Sequence, residues 1–452
     1  MDRSFEVSEI INEARAQIRL AWPIALAQFG MIALSLVDTA FVGRISRVEL
    51  ASVALGRSLS FALSSVGFGV ASAIEPLAAQ ALGAGERDRA WCALTRTLRA
   101  VVLLSVPSVA MTIGVTWLLP WAGVSPEVVV RTRTFLVAQI PNQIALAIFF
   151  ALKSFLQAHG ATRPALLGAA LANVMNFVVC AAIVGGDDSL RALGLPPIGL
   201  PRLGAVGAAI ASDVAAVLLM GVVVSAALAF RAPVKGAKVT TAAVLRLGIP
   251  IGLQFAAEIG VFAVAALLAG RLGDAALAAH QIALGLASFT FMGALGVSGA
   301  TAVRVGRAVG AGKSPRCPGL VGMALGAGAM IVGAVAFAAI PTGLVHIFTH
   351  DSVVVQIAVP LLRVAAAFQL FDGLQVVSAG ALRGAGDVRL PFVASAVSYW
   401  CIGLPAAVFL AFTCKLGALG LWLGLTAGLV TVAAALATRF ATLSRGPVRA
   451  LP

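Results

Sequence analysis

The sequence predicts an all-α polytopic membrane protein, with twelve transmembrane helices in two six-helix lobes, and three observations carry that prediction. Of its 452 residues, 60% are hydrophobic and 11% charged, with a mean hydropathy of +1.01. Apolar runs long enough to cross a bilayer follow one another along nearly the whole chain. Several blocks of sequence then recur at nearly one spacing.

A soluble protein averages about 45–50% apolar and about 25% charged residues. This much apolar sequence cannot be hidden inside a water-soluble core, so the solvent is a bilayer. A helical span needs about 20 mostly apolar residues, because lipid offers no partner to exposed backbone groups. In chain order, the first helix covers 16–43 and holds Pro23 and Asp38; the second covers 49–81, with Glu75 near its inner end. Helices at 92–121, with Pro107, and at 127–156, with Pro141 and Gln143, follow. The fifth and sixth, 163–185 and 204–230, carry Asn173, Asn176 and Asp213, with a loop at 187–202 between them. A second set covers 241–271, 276–306, 318–345, 352–382, 390–413 and 417–440, with Pro250 and Glu258 in the first of these, Asp372 in the fourth and Pro405 in the fifth. Internal prolines are tolerated in lipid where neighbouring helices satisfy the freed carbonyls. The 47 glycines suit helices that pack backbone to backbone.

A net charge of +14 could point to nucleic acid, but the cations fall between helices. With the N-terminus inside, 22 of the 32 Lys and Arg lie in cytoplasmic segments and 10 outside, so both termini are expected to be cytoplasmic. Residues 1–19 are polar and mixed in charge, which is no signal peptide. Five scattered cysteines show no CxxC or metal spacing and are expected as small apolar fillers.

RLAWPIALAQ (19–28) is repeated as RLGIPIGLQF (246–255), Pro23 matching Pro250 at an offset of 227. The same offset pairs Leu50 with Leu277, Gly69 with Gly296, and QALGAG (80–85) with RAVGAG (307–312). LQAHGATRP (156–164) resembles LRGAGDVRLP (382–391) with one residue of slack, and LGAVGAA (203–209) matches LGALGLW (416–422) at offset 213. The expected organisation is an N-lobe at 1–230, a cytoplasmic linker at 231–244 and a C-lobe at 245–452. Parallel six-helix repeats enclosing a midplane cavity are a transporter plan.

A charge at the bilayer centre costs at least about 2.5–3.5 kcal/mol, so intramembrane acids call for explanation. Asp38, Glu258 and Asp372 face Ala265, Met31 and Leu146 in the other repeat, so the duplicated scaffold does not demand them. Gln369 and Gln375 flank Asp372 at i−3 and i+3, which predicts a polar stripe, and Gln369 aligns with Gln143. Glu75 and Asp213 are read as structural. Low dielectric favours the neutral form of an acid, so such a group can trade a proton, or Na⁺, for a cationic substrate. Two ligands competing for one charge, each shifting a two-state equilibrium, constitute antiport. Lone His159 and His280 are read as satisfied structural residues, and the Gly- and Arg-containing turns at 153–164 and 381–391 as hinges and positive-inside anchors. No GxxxxGK[ST] loop or HExxH motif is present, which excludes those routes to ATP-driven or zinc chemistry.

VDTAFVGRIS (37–46), QALGAG (80–85), GIPIGLQFAAE (248–258) and FQLFDGLQVVSAGALRGAGD (368–387) resemble the multidrug and toxic compound extrusion (MATE) family, over essentially all twelve helices. The resemblance is to the NorM type, because the acidic positions of the seventh and tenth helices are filled by Glu258 and Asp372. It implies a V-shaped pair of lobes, and efflux of amphipathic organic cations against inward H⁺ or Na⁺. It also implies Asp38 as the N-lobe cation site, with Asn173 and Asn176 (LANVMNFVVC, 171–180) nearby. Where relatives often carry Asp or Asn, this chain has Cys180 or its neighbour, leaving that site one carboxylate.

The expectation is therefore a monomeric inner-membrane antiporter in the lipid bilayer, exporting organic cations or drugs. Asp38, Glu258 and Asp372 would couple the cation, and Asn173, Asn176, Gln143, Gln369 and Gln375 would line the cavity. No metal, nucleic acid or cofactor beyond the coupling ion is expected. A lipid-linked precursor flippase or metabolite exporter of the same superfamily is the alternative. A flippase would be expected to carry cavity cations, whereas intramembrane Arg is confined to Arg57 and Arg363. A membrane enzyme lacks a nucleophile–base pair, and a passive channel would not need tandem lobes.

Overall fold

The computed structural model describes residues 7–192, 194, 196, 197, 199–233 and 239–451; positions 234–238 of the expected linker lie outside these. Among the described residues there are twelve helices long and apolar enough to span a membrane, and no strand. They are α1 (Val7–Gly43), α2 (Arg47–Gly83), α3 (Arg87–Trp121), α4 (Ile140–Ala158), α5 (Arg163–Ile183), α6 (Gly204–Leu228), α7 (Thr241–Arg271), α8 (Asp274–Gly310), α9 (Arg316–Ala339), α10 (Ser352–Ala385), α11 (Arg389–Thr413) and α12 (Gly417–Leu443). All twelve expected helices are present, which makes the chain a multi-pass membrane protein.

Two boundaries differ from the sequence expectation for identifiable reasons. The run at 127–156 is two helices, Pro126–Ala138 and α4, separated at Gln139 (φ −85°, ψ 2°). Pro141, the second residue of α4, has no N–H to continue the ladder from the preceding helix. Asp213 repairs the break: its Oδ1 accepts from the Asn142 backbone N at 2.9 Å, while Asn142 Nδ2 donates to the Ser212 carbonyl at 2.8 Å. At the other boundary, α1 starts at Val7 rather than 16, because its polar first turns are rich in good helix formers and are tied down by Glu13, which receives Arg304 Nε at 2.9 Å. Within α11, two π-helical stretches, Val397–Gly403 and Phe409–Thr413, flank Leu404–Val408 with its Pro405.

The chain forms two compact units that cut across its sequence halves. One comprises Met1–Leu26, Glu75–Ala90 and Leu253–Pro452; the other comprises Ala27–Ile74 and Trp91–Gly252. The chain leaves one unit for the other just after Pro23 in α1 and just after Pro250 in α7, the matched prolines of the repeat.

Glycine sets the tightest packing in both units. A Cβ on Gly69 of α2 would lie 2.1 Å from the Gly252 nitrogen of α7. The repeat-related crossing of α8 and α1 is also tight, with a Cβ on Gly296 falling 2.6 Å from the Ala21 carbonyl and 2.9 Å from the Ala25 nitrogen. Small residues allow such backbone contact, which substitutes for the hydrophobic drive that lipid does not supply. Gln80, near the inner end of α2, is 2% exposed; its Nε2 donates to the Gly384 carbonyl at 2.9 Å and its Oε1 accepts from the Leu451 backbone at 2.7 Å.

Candidate functional site

The C-terminal half assembles an acidic cluster from three helices. Glu258 of α7 receives three donors on a single oxygen: Gln254 Nε2 from one turn earlier at 3.0 Å, Gln375 Nε2 of α10 at 2.9 Å and Ser395 Oγ of α11 at 3.2 Å. Among the described residues no protein donor reaches its other oxygen. Asp372 of α10 lies within electrostatic reach of Glu258, and no donor among the described residues reaches its carboxyl. Both acids are partly accessible, whereas Gln254 and Gln375 are each 2% exposed. Carboxylate and hydroxyl oxygens are donors that a hard monovalent cation accepts, while the amides of Gln254 and Gln375 turn their Nε2 toward Glu258 and orient it.

Aromatic rings form the wall beside this cluster. Tyr399, the single tyrosine of the chain, sits in the first π-helical stretch of α11, 2% exposed and in electrostatic reach of both acids. Phe262 packs against Tyr399 at 6.4 Å and Phe368 at 6.2 Å, and Phe368 packs against Trp422 at 5.6 Å. Trp400 Nε1 donates to the Ala257 carbonyl at 3.1 Å, fixing the π-helical stretch against α7 next to Glu258. π-Helical stretches are frequent at functional sites because they re-aim side chains.

The expected polar stripe on α10 divides. Residues three apart on a helix are rotated by about 60°, so Gln369 and Gln375 diverge by about 120° on either side of Asp372. Gln375 turns to Glu258, while Gln369 is fully buried and donates to Thr290 Oγ1 of α8. Gln143 does the same in the N-terminal half, donating to Ser64 Oγ of α2 at 2.8 Å and to Ser108 Oγ of α3 at 3.2 Å. Both pairs are related by an offset of 226. Gln143 and Gln369 are therefore repeated helix-to-helix latches rather than ligands of the acids. Asn173 is a latch too, donating to the Gly30 carbonyl of α1 at 2.9 Å and the Ala169 carbonyl at 2.8 Å.

Asp38 differs from the open carboxylate that the sequence suggested. It is fully buried and ion-paired to Arg57 of α2. Ser212 Oγ of α6 donates to its Oδ2 at 2.6 Å, and Asn176 Nδ2 and Cys180 Sγ of α5 approach its Oδ1 at 2.8 and 3.1 Å. Asn176 thus contacts Asp38, and Cys180 is a polar neighbour of it rather than an apolar filler. The sequence signal for Arg57 was its position ten residues into a span, about 15 Å along the helix.

Two further expectations are corrected. Arg383 is 7% exposed and donates to Ser298 Oγ at 3.3 Å, so it is a buried residue and not a surface anchor. His280 is fully buried beside Trp422, with ring centroids 5.9 Å apart, and neither ring nitrogen has a hydrogen-bond partner among the described residues. It is not the satisfied histidine that its sequence context suggested. His159 does fit a structural role, stacked between Phe155 and Phe230 with Nδ1 3.1 Å from the Phe155 carbonyl. Among the described residues no group of three His, Cys, Asp or Glu could hold a metal ion.

Comparison with known proteins gives this geometry its family. The MatE family profile matches residues 23–182 and again 250–409, two stretches whose starts are 227 residues apart, as in the repeat. The chain is 37% identical over 443 residues, 95% of each chain, to the probable multidrug resistance protein NorM of Deinococcus radiodurans. It is 34% identical over 449 residues, 95% of this chain and 94% of the other, to that of Pseudomonas putida. The crystal structure of the eukaryotic MATE transporter AtDTX14 superposes with a TM-score of 0.83 at 23% identity, covering 97% of this chain and 98% of that one. A MOP superfamily transporter from Pyrococcus furiosus shares the fold at TM-score 0.83 and 16% identity, over 98% of this chain and all of that one. The chain belongs to the MatE family, as a transporter of the NorM-like type and not an enzyme.

Proposed function

We propose that this protein is a secondary active multidrug exporter. It moves amphipathic organic cations outward in exchange for H⁺ or Na⁺, and Glu258 and Asp372 are the acids that couple the two flows. The observation that carries this reading is the arrangement at Glu258. Three neutral donors crowd one carboxyl oxygen, the second acid stands in its field without a donor among the described residues, and the partly accessible ring of Phe262, backed by buried Phe368 and Tyr399, supplies a face for a hydrophobic cation. Gln254, Gln375 and Ser395 orient Glu258. The relatives called multidrug resistance proteins support the cargo class. The working setting is the inner membrane, with both termini cytoplasmic and the chain acting as a monomer, in line with the distribution of Lys and Arg.

The coupling ion competes with the drug for the same negative charge, so binding of one disfavours the other and each biases the conformational equilibrium. Asp38 falls outside this pair because Arg57 already neutralises it. The test uses purified protein in vesicles, with pH and Na⁺ gradients imposed one at a time and efflux of a fluorescent organic cation as readout. Glu258→Gln and Asp372→Asn should each abolish uphill efflux. Unaltered gradient-driven efflux in both variants would end the proposal.

A further inference from the structure

We infer that Arg57 is the resident cation of the N-terminal half. Its tethered guanidinium keeps Asp38 occupied, so this half carries no coupling ion, and the number of ions exchanged per drug is set at Glu258 and Asp372. The inference rests on the coupling role proposed above for those two acids.

A carboxylate has about four lone-pair sites, and at Asp38 all of them are engaged. Asn176 Nδ2 and Cys180 Sγ take Oδ1 at 2.8 and 3.1 Å; Ser212 Oγ, at 2.6 Å, and Arg57 Nη2 take Oδ2. These partners come from α5, α6 and α2 and enclose a side chain with no exposed surface. The guanidinium also donates from Nη1 to the Ser35 carbonyl at 3.0 Å and to Ser35 Oγ. Its Nε is buried with no acceptor among the described residues, so charge rather than a full set of hydrogen bonds holds the arginine here. The nearby acid of α6, Asp213, is turned away to the Asn142 backbone nitrogen at 2.9 Å.

Arginine does not give up its proton in proteins. The cluster can therefore shed charge only at Asp38, and protonation there would strand a half-buried guanidinium without its counter-charge. A mobile cation arriving at this cluster meets zero net charge and carboxylate oxygens already engaged; the acceptor left without a partner among the described residues, Asn176 Oδ1, is neutral. At Glu258 and Asp372 the opposite holds: every donor on Glu258 is neutral, none among the described residues reaches Asp372, and the arginine in the field of Glu258, Arg383, hydrogen-bonds Ser298 instead.

The test counts ions per drug in vesicles holding the full chain, for wild type, Asp38→Asn, Arg57→Gln and the double variant D38N/R57Q. The double variant removes both charges together and should keep uphill efflux with the wild-type ratio. D38N alone leaves Arg57 unpaired and should lose folded protein or transport. R57Q frees the carboxylate and should gain a further coupling ion. A folded D38N/R57Q protein that exports no drug uphill overturns the inference. Should that variant not fold, E258Q/D372N with Asp38 and Arg57 intact decides the matter. On binding tetraphenylphosphonium it should displace neither Na⁺ nor protons, and an ion still displaced there overturns the inference. The coupling role of the C-terminal acids fails by a separate outcome, namely single E258Q and D372N variants that retain gradient-driven efflux.

Discussion

Gly69 of α2 and Gly252 of α7 meet backbone to backbone: a single methyl group at position 69 would stand 2.1 Å from the Gly252 nitrogen. No rotamer change relieves that clash, because the obstacle is main chain. Gly69→Leu is therefore expected to cost more than the roughly 1–3 kcal/mol typical of overpacking. A thermal melt in detergent checks this, as a large drop in Tm relative to Gly67→Leu, whose Cβ position meets nothing within 4 Å.

Gln375 reaches Glu258 from another helix at 2.9 Å. Hydrogen bonds to a charged group contribute about 1.5–3 kcal/mol, so Gln375→Ala should weaken coupled efflux by roughly tenfold to a hundredfold. Gln375→Glu should do worse, since it places a third acid in the cluster. Initial rates of pH- or Na⁺-driven uptake into inverted vesicles measure both, and equal rates for Ala and wild type would remove Gln375 from the site.

Gln143 and Gln369 hold helices together and stand away from the acids. Gln143→Ala leaves Ser64 and Ser108 without that partner, and Gln369→Ala leaves Thr290 so. Each is expected to cost about 1–3 kcal/mol in stability while the number of ions exchanged per drug stays unchanged. A changed ratio in a folded variant would return these residues to the transport pathway.

Gln80 satisfies both the Gly384 carbonyl and the Leu451 backbone N–H. In Gln80→Ala these buried groups lose their partner, at about 1–3 kcal/mol each. Hydrogen exchange should quicken at Leu451 and in the turn at 384–387, with little change in α5 or α6. Uniform exchange across the chain would contradict it.

The fold was largely legible because a bilayer imposes strong rules: span length, charge between spans and repeated blocks each point to twelve helices in two sets. The 227-residue offset between Pro23 and Pro250 reappears as two family matches and as the paired crossings at Gly69 and Gly296. The break at Gln139 was signalled by Pro141 yet hidden by an apolar run that continues through it. At the site, Glu258, Asp372 and Gln375 could be singled out because polar residues in grease are conspicuous. Ser395 and Tyr399 could not, because one serine or one aromatic in a span has no local signature, and only tertiary packing brings them to α7. Sequence spacing put Gln369 and Gln375 together, and helical rotation separates them. Arg57 was visible as a charge within α2, but its match to Asp38 depends on how α1 and α2 face one another, which no linear pattern encodes.

The two compact units trade pieces of chain: the inner parts of α1 and α2 belong with the C-terminal helices, and the first turns of α7 with the N-terminal ones. A gene severed between residues 231 and 244 would thus yield polypeptides that each hold a fragment of the other's core. Neither product should be recoverable alone, and co-expression should rescue both. The exchanged segments make the two sequence halves obligate companions that a simple break would not release.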